Sequence, residues 1–467
     1  MRTRERLTAV KEPVSLERRL RTYDAAAIVI ANVVGVGIFT TPGIVAQMVP
    51  HPLLILGLWV VGGAMALAGA FAYAELATLR PRAGGEYVYL REAFGPLAAF
   101  LTGWTSFVAG FSGAIAAGAV GLAAYLGDFF PAASDARPFL QLSLGVARLE
   151  LSPRTLVALV AIVALSLVHL RGLGPGRWLQ NLLVGLKVLA LLALVAAGFA
   201  FGSGSFNHLE VSAATMTPTG SLLALIPILF AYSGWNAATY VAEEVHNPHR
   251  TLPRALFLGT GTVVVLYLLL NLLYLYALPV HQLAGTIDTG SRVARALFGH
   301  AAGSALTLVL VIALASSLSA MILAGPRVYF AMARDGLFLS AAARIHPRFR
   351  TPATAIVAQA IWSGILVLSG TFEQLLTYTG FAVVLFAAVA TLALFVLRYT
   401  RSSEVRPFKA WGYPIAPALF CLVSFAVVVN TIYESPRPSL AGLAIIAAGV
   451  PIYWWSARRR MRSVVNR

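Results

Sequence analysis

Ile28–Ile44 reads IVIANVVGVGIFTTPGI. The stretch is apolar enough to lie in lipid, yet Gly35-Val36-Gly37 occupies its middle and Pro42-Gly43 follows close behind. A continuous helix favours neither, because glycine carries a backbone entropy cost and proline removes a helical hydrogen bond. The helix is therefore expected to break at mid-membrane. Backbone N–H and C=O groups freed in hydrocarbon each cost several kcal/mol, so a break persists there only where it lines a cavity or is covered by protein. Two readings follow: a polar molecule docks at Gly35–Gly37, or the glycines let a neighbouring helix pack closely.

Composition sets the class. Of 467 residues, 59% are hydrophobic and 11% charged, and the mean hydropathy is +0.80. So much apolar surface cannot be hidden in one soluble core, which makes the chain a polytopic membrane protein. Residues 1–23 carry Arg and Glu without an apolar run leading to a small-residue cleavage site, so they read as a short cytoplasmic arm and not a secretory signal. The single cysteine, Cys421, lies in an apolar run, where it can form no internal disulfide and is badly placed to tether a second subunit.

Twelve apolar stretches of spanning length occur near residues 24–49, 52–79, 94–126, 155–171, 178–201, 219–243, 254–278, 301–333, 353–370, 374–398, 413–432 and 438–456. With both termini inside, Arg137, Arg148, Arg154, Arg292, Arg295 and Arg437 lie outside and Lys187 lies within a span. The remainder of the 35 Lys and Arg fall to the arm, the inner connections and the tail. That asymmetry fixes the orientation and accounts for the net charge of +17 through anionic headgroups, so nucleic acid is not required as a partner. Connections are short except the outer one near 127–154, and no second soluble domain fits.

The sixth span mirrors the first. Leu222–Val241 reads LLALIPILFAYSGWNAATYV, and its centre, Tyr232-Ser233-Gly234-Trp235-Asn236, is again too small and polar for a lipid-facing helix. Breaks at the starts of two five-span units suggest an inverted repeat. Five is odd, so the second unit inserts with opposite orientation and both breaks fall at one midplane site. The expected fold is an all-α membrane protein of twelve transmembrane helices in the leucine-transporter-like arrangement. It comprises a first repeat at 24–201, an inverted repeat at 219–398, two further helices at 413–456 and a cytoplasmic tail at 457–467.

Four motifs now carry a family resemblance. Gly35-Val36-Gly37-Ile38-Phe39 with Pro42-Gly43 resembles the first-span signature of the amino acid/polyamine/organocation (APC) transporters. The run Pro81–Gly95, PRAGGEYVYLREAFG, is similar to that family's loop after span two. Phe230-Ala231-Tyr232-Ser233-Gly234-Trp235-Asn236, and then Glu243-Glu244 and Asn247-Pro248 through Leu252-Pro253, resemble the L-type amino acid exchangers in particular. The resemblance covers nearly the whole chain and implies a secondary-active amino acid transporter without a cofactor. One departure is Val36, which stands where the family most often has serine, so no hydroxyl contact is available there.

The physics of such a site follows from the substrate. A free amino acid is a zwitterion, and burying its charges is unfavourable unless each is met by hydrogen bonds or charge. N–H groups around Gly35, Val36, Gly37 and Ile38, at the start of a half-helix, point at a carboxylate with the positive end of a dipole. Carbonyls of Ile30, Phe230, Ala231 and Ser233 can receive the ammonium. Neither task needs a charged side chain, and of the 18 Asp and Glu only Glu75, Glu243 and Glu244 approach the spans, near their inner ends. By resemblance Phe230 closes over the substrate from outside. Phe111, Ser112 and Ile115 are candidates for the side-chain pocket, and Trp235 and Tyr232 for support of the unwound segment, with simple packing as the competing reading for each. No acid lies plainly in the pocket, which favours small or branched neutral amino acids over cationic ones and polyamines.

Lys187, within Leu182–Val195, is a cation inside a span and by default functional. Its place in span five matches, by resemblance, a lysine whose ammonium stands where sodium sits in sodium-coupled relatives. It is expected to reach the Gly35 carbonyl and Ser316 or Ser317 and to make transport Na⁺-independent. Glu243 and Glu244 either pair with Arg residues of the arm or end a solvated helix. His246 and His249 lack a third ligand and Asn247-Pro248 separates them, so no metal site is expected. Gly172–Gly176 follows no strand and reads as a plain loop. The L-type exchangers usually join a heavy subunit through a cysteine in the outer loop after span three. That loop has none here, so the chain is expected to work alone in a prokaryotic inner membrane. Proton-coupled symport and exchange of cationic amino acids or polyamines remain the alternatives. An intramembrane enzyme is disfavoured by the lack of clustered acids or histidines, and a channel would not need paired breaks.

Overall fold

A computed structural model describes residues 15–144, 147–210, 218–286, 288–299 and 302–465. Residues 1–14 of the arm and the last two residues of the tail lie outside the described residues. The chain is nearly all-helical. The first half contains α1 (Thr22–Val33), α2 (Gly37–Met48), α3 (Pro52–Leu79), α4 (Glu86–Phe94), α5 (Pro96–Thr105), α6 (Phe111–Leu126), α7 (Pro153–Leu170) and α8 (Leu173–Phe201). The second contains α9 (Pro218–Ala231), α10 (Ala237–Tyr240), α11 (Pro248–Ala277), α12 (Val280–Leu283), α13 (Thr289–Phe298), α14 (Ala302–Arg334), α15 (Ala353–Ser369), α16 (Phe372–Thr400), α17 (Ile415–Glu434) and α18 (Pro436–Val465).

Local chemistry sets the helix starts. α3, α7 and α11 begin on proline, whose fixed φ and missing N–H suit the first turn. His51 Nδ1 accepts the Leu54 N–H at 3.2 Å and Ser152 Oγ accepts the Thr155 N–H at 3.2 Å, satisfying donors that the helix cannot. At α1, Asp24 accepts the Arg21 N–H at 2.7 Å and places a carboxylate in the first turn, where the dipole favours it.

Among the described residues nine helices are long and apolar enough to cross a membrane, or ten when α1 and α2, bent by 48° at their junction, count as one span. The chain is an integral membrane protein. One departure from an all-helical reading lies in the long connection after α6. There β1 (Leu140–Leu144) and β2 (Ala147–Leu151) form an antiparallel hairpin, with Leu140 opposite Leu151 and Gln141 opposite Glu150. Both strands, LQLSL and ARLEL, alternate apolar and polar residues, a local period-two signal that the all-α expectation left out.

The core forms where α1 packs on α11, α14 and α8, and α2 on α9. Ion pairs seal the end of the bundle that carries the arm. Buried Glu75 accepts from Arg398 at 2.6 Å, Arg406 at 3.2 Å and the Ala410 N–H at 2.7 Å. Arg327 lies inside α14 and meets Glu244 with both oxygens at 2.9 Å, and neither side chain has any solvent exposure. Two expectations are corrected here. Lys187 is not alone within the spans, since Arg327 lies inside α14, and Glu243 and Glu244 pair with Arg334 and Arg327 of α14 instead of with the arm. The turn Ala242–Glu244 aims both carboxylates at α14, while the arm uses backbone: the Arg19 and Leu20 N–H groups donate to the Glu244 carbonyl at 2.9 Å, and His246 N–H donates to Leu20 at 2.8 Å.

Candidate functional site

α1 stops at Val33. The Val34 N–H closes onto the Ile30 carbonyl at 2.9 Å, Val34 turns extended, and α2 restarts at Gly37. Phe39 is the first residue to bond back, onto the Val36 carbonyl at 2.9 Å. The N–H groups of Gly35, Val36 and Gly37 have no hydrogen-bond acceptor among the described residues. They form the open N-terminus of a half-helix, the backbone feature that attracts an anion. Gly35, Val36 and Gly37 are half-buried, between fully buried Val34 and Ile38.

The second interruption faces the first. α9 ends at Ala231, Ser233 N–H returns to the Phe230 carbonyl at 3.0 Å, and α10 begins only at Ala237. Gly234, at φ +100°, is required twice over: that backbone is strained for any L side chain, and an added Cβ would lie 3.0 Å from the Asn32 side chain and carbonyl. Asn32 Nδ2 donates to the Gly234 carbonyl at 3.4 Å. A Cβ on Gly37 would stand 3.5 Å from Ala231 Cα, so the halves of the two spans run past one another at van der Waals distance. Tyr267 of α11 bridges the two breaks, its hydroxyl 2.9 Å from the Val33 carbonyl and 3.1 Å from that of Ala231.

Lys187 of α8 is fully buried against α1. Its Nζ donates to the Val34 carbonyl at 2.5 Å, the Ala31 carbonyl at 3.3 Å and Ser317 Oγ at 3.4 Å. Ser317 in turn donates to the same carbonyls, at 2.8 Å for Ala31 and 3.1 Å for Val34. The carbonyls reached are thus those of the last turn of α1 and the residue after it, not Gly35, because Val34 turns extended and directs its oxygen toward α8. Ser316 is not part of the cluster; its carbonyl receives Gln180 Nε2 at 3.5 Å.

The other expected site residues divide. Of the carbonyls expected to receive an ammonium, those of Ile30, Phe230 and Ala231 already accept from Val34, Ser233 and Tyr267, while that of Ser233 has no partner among the described residues. Phe230 is 56% exposed at the end of α9, so its ring stands clear of the core. Phe111 meets the edge of Tyr240 at 5.3 Å. Ser112 and Ile115 are fully buried, Ile115 in the α6–α14 cluster onto which Val36 packs. Tyr232 donates to the Trp59 carbonyl at 3.2 Å. Trp235 stands edge-on to Tyr73, with ring centres 4.8 Å apart, beside a cavity of about 50 Å³ between Ser233, Val383 and Phe420. Among the described residues no group of three metal-ligating side chains occurs. The sequence reading missed Asn32, Tyr267, Asn236 and Glu86. Asn32 and Asn236 carried a signal, each as an amide in an apolar run.

The profile of the amino acid permease family matches residues 20–457. The chain belongs to the amino acid permease family. Its relatives include the serine/threonine exchanger SteT of Bacillus subtilis, 28% identical over 96% of this chain and 99% of the relative. The human cystine/glutamate transporter is 28% identical over 98% of this chain and 89% of the relative. The mouse Asc-type amino acid transporter 1 is 29% identical over 95% and 82%. This permease is therefore an amino acid transporter and not an enzyme, and exchangers are among its relatives.

Proposed function

We propose that this permease carries neutral L-amino acids across a prokaryotic inner membrane by Na⁺-independent alternating access, as an exchanger or uniporter. The observation that carries the reading is the open N-terminus at Gly35–Gly37, half-buried and facing the interruption at 232–236. The substrate carboxylate binds those N–H groups, and the ammonium binds carbonyls around the breaks, with that of Ser233 the most available. Phe230, exposed in this conformation, swings over the occupied site from outside, and Trp235 with Tyr232 braces the unwound segment. Phe111, Ser112 and Ile115 line the side-chain pocket, Ile115 belonging to the cluster onto which Val36 packs.

Na⁺ independence is supported by Lys187, whose ammonium stands among the Ala31 and Val34 carbonyls and Ser317 Oγ, a place otherwise suited to a small cation. Neutral substrates are favoured by the serine/threonine exchanger among its relatives. The proposed architecture counts the bent pair α1–α2, the interrupted α9–α10 and the 17-residue α15 as spans beside the nine long helices, for twelve spans in two inverted five-helix units and two further helices, with both termini cytoplasmic. Buried Cys421 offers no anchor for a disulfide partner, in keeping with a carrier that works alone.

The test is uptake of an amino acid panel into proteoliposomes, with and without internal substrate, Na⁺ and a pH gradient. Trans-stimulated uptake of neutral amino acids without Na⁺ is expected. Strict Na⁺ dependence, or uptake confined to cationic amino acids or polyamines, contradicts the proposal.

A further inference from the structure

Glu86 opens α4, outside the membrane-spanning helices, yet its carboxyl is buried against the second interruption. Oε1 accepts from the Tyr73 hydroxyl at 2.7 Å and from Asn236 Nδ2 at 2.7 Å, and the Tyr240 hydroxyl is a further hydrogen-bond partner of the carboxyl. Asn236 closes the turn between α9 and α10 and also donates to Tyr240 at 3.1 Å. All of these partners are neutral.

The other buried glutamates near this end are treated differently. Glu75 is held by Arg398 and Arg406, and Glu244 by Arg327. Charged groups on the elements packed around Glu86 are committed to one another. Arg327 of α14 meets Glu244, Asp335 meets Arg91 of α4, Arg80 meets Glu92 and Glu404, and Arg398 of α16 meets Glu75. Tyr89 of α4 adds a hydroxyl and no charge. Among the described residues no Lys, Arg or His pairs with Glu86.

A carboxylate buried without a counter-charge is strongly disfavoured and takes up a proton instead. Burial accordingly pushes this carboxyl up to about 7, against the pull of its hydrogen bonds. We propose that Glu86 is a proton-binding site of the carrier, occupied while the arm end of the bundle is sealed over it and emptied when that end opens to water. The proton comes from water at the arm end and bonds to one carboxyl oxygen, turning carboxylate into acid. Oε1 keeps its bonds from Tyr73 and Asn236, and the turn at 232–236 stays braced. When the end opens, water hydrates the group, its affinity returns to the ordinary carboxylate range, and the proton leaves to the same water.

Entry and exit on one side move no proton across the membrane. The sealed state binds the proton more tightly, so it gains on the open state as pH falls from about 7 toward the ordinary range near 4.3, and that gain is lost as pH rises back through about 7. A neutral Glu86 also leaves the second interruption without a charge of its own, in keeping with neutral substrates. The transport consequence rests on the carrier reading above, whereas the proton itself does not.

Two measurements test the site. Infrared difference spectra of the purified carrier between about pH 5.5 and about pH 8.5 should show a protonated-carboxyl C=O band that titrates near neutrality and is absent in E86Q. Counterflow of labelled L-serine and L-leucine at equal pH on both sides should vary severalfold over that range in the natural protein and stay flat in E86Q, whose amide keeps the Oε1 acceptor. A Glu86 that is already ionised at about pH 5.5, or an E86Q profile that follows the natural one, overturns the proposal. Absence of counterflow at every pH contradicts the carrier reading instead, and the infrared titration then decides the proton site alone.

Discussion

Lys187 ties the end of α1 to α8 and α14 through charge-assisted bonds. Hydrogen bonds to a charged donor contribute about 1.5–3 kcal/mol, and Lys187→Ala leaves the buried Ala31 and Val34 carbonyls with the Ser317 hydroxyl alone to share between them. Counterflow by Lys187→Ala is expected to fall by about tenfold or more with normal membrane insertion, since 1.4 kcal/mol already amounts to tenfold. An unchanged rate sinks the assignment. At Gly234, φ of +100° and the Asn32 carbonyl 3.0 Å from an added Cβ predict that Gly234→Ala costs about 1–3 kcal/mol and lowers the melting temperature in detergent. A melt identical to that of the natural protein contradicts the geometry. The sequence announced Lys187, because a cation in an apolar run is conspicuous. It did not announce the lysine's partners, since a single extended residue, Val34, decides which carbonyls turn toward α8. Glu86 stayed hidden because a polar residue in a connection reads as solvated, and only the fold carries that connection back into the core.

The two interruptions act as one element, and Tyr267 of α11 is the side chain that spans them. Tyr267→Phe removes one hydroxyl shared between the Val33 and Ala231 carbonyls, an interaction of about 1 kcal/mol. Substrate affinity, read from the concentration dependence of counterflow, should weaken about fivefold while the protein still folds. No change in affinity means that the breaks are held by packing alone. The junction of α14 with the Ala242–Glu244 turn calls for a different experiment. Removing either Arg327 or Glu244 leaves a buried charge uncompensated, at a cost of about 3–5 kcal/mol, while replacing both with apolar residues is often near neutral. Arg327→Met and Glu244→Met should each melt well below the natural protein, and the double variant should recover most of the loss. Equal instability of all three shows that the pair is not the main tie. Both interruptions were legible from glycine and small polar residues in apolar runs. The Arg327 pair was not, because Arg327 lies within two turns of the α14 terminus and its partner is 83 residues away.

For the whole molecule, composition alone established a polytopic membrane protein, because apolar content is a property of the chain and needs no contacts to be read. The sealing of the arm end depends on pairings between distant segments, which no local pattern encodes, whereas the small hairpin after α6 pairs neighbouring strands that alternate in sequence. The central claim is that backbone groups at two interrupted helices recognise the two charges of a free amino acid. Competition against labelled counterflow tests it most directly, using a transported L-amino acid, its methyl ester and its N-acetyl derivative. The account predicts that the free amino acid competes and that blocking either charge weakens competition by about tenfold or more, the loss of one charge-assisted contact. Equal competition by all three compounds contradicts it.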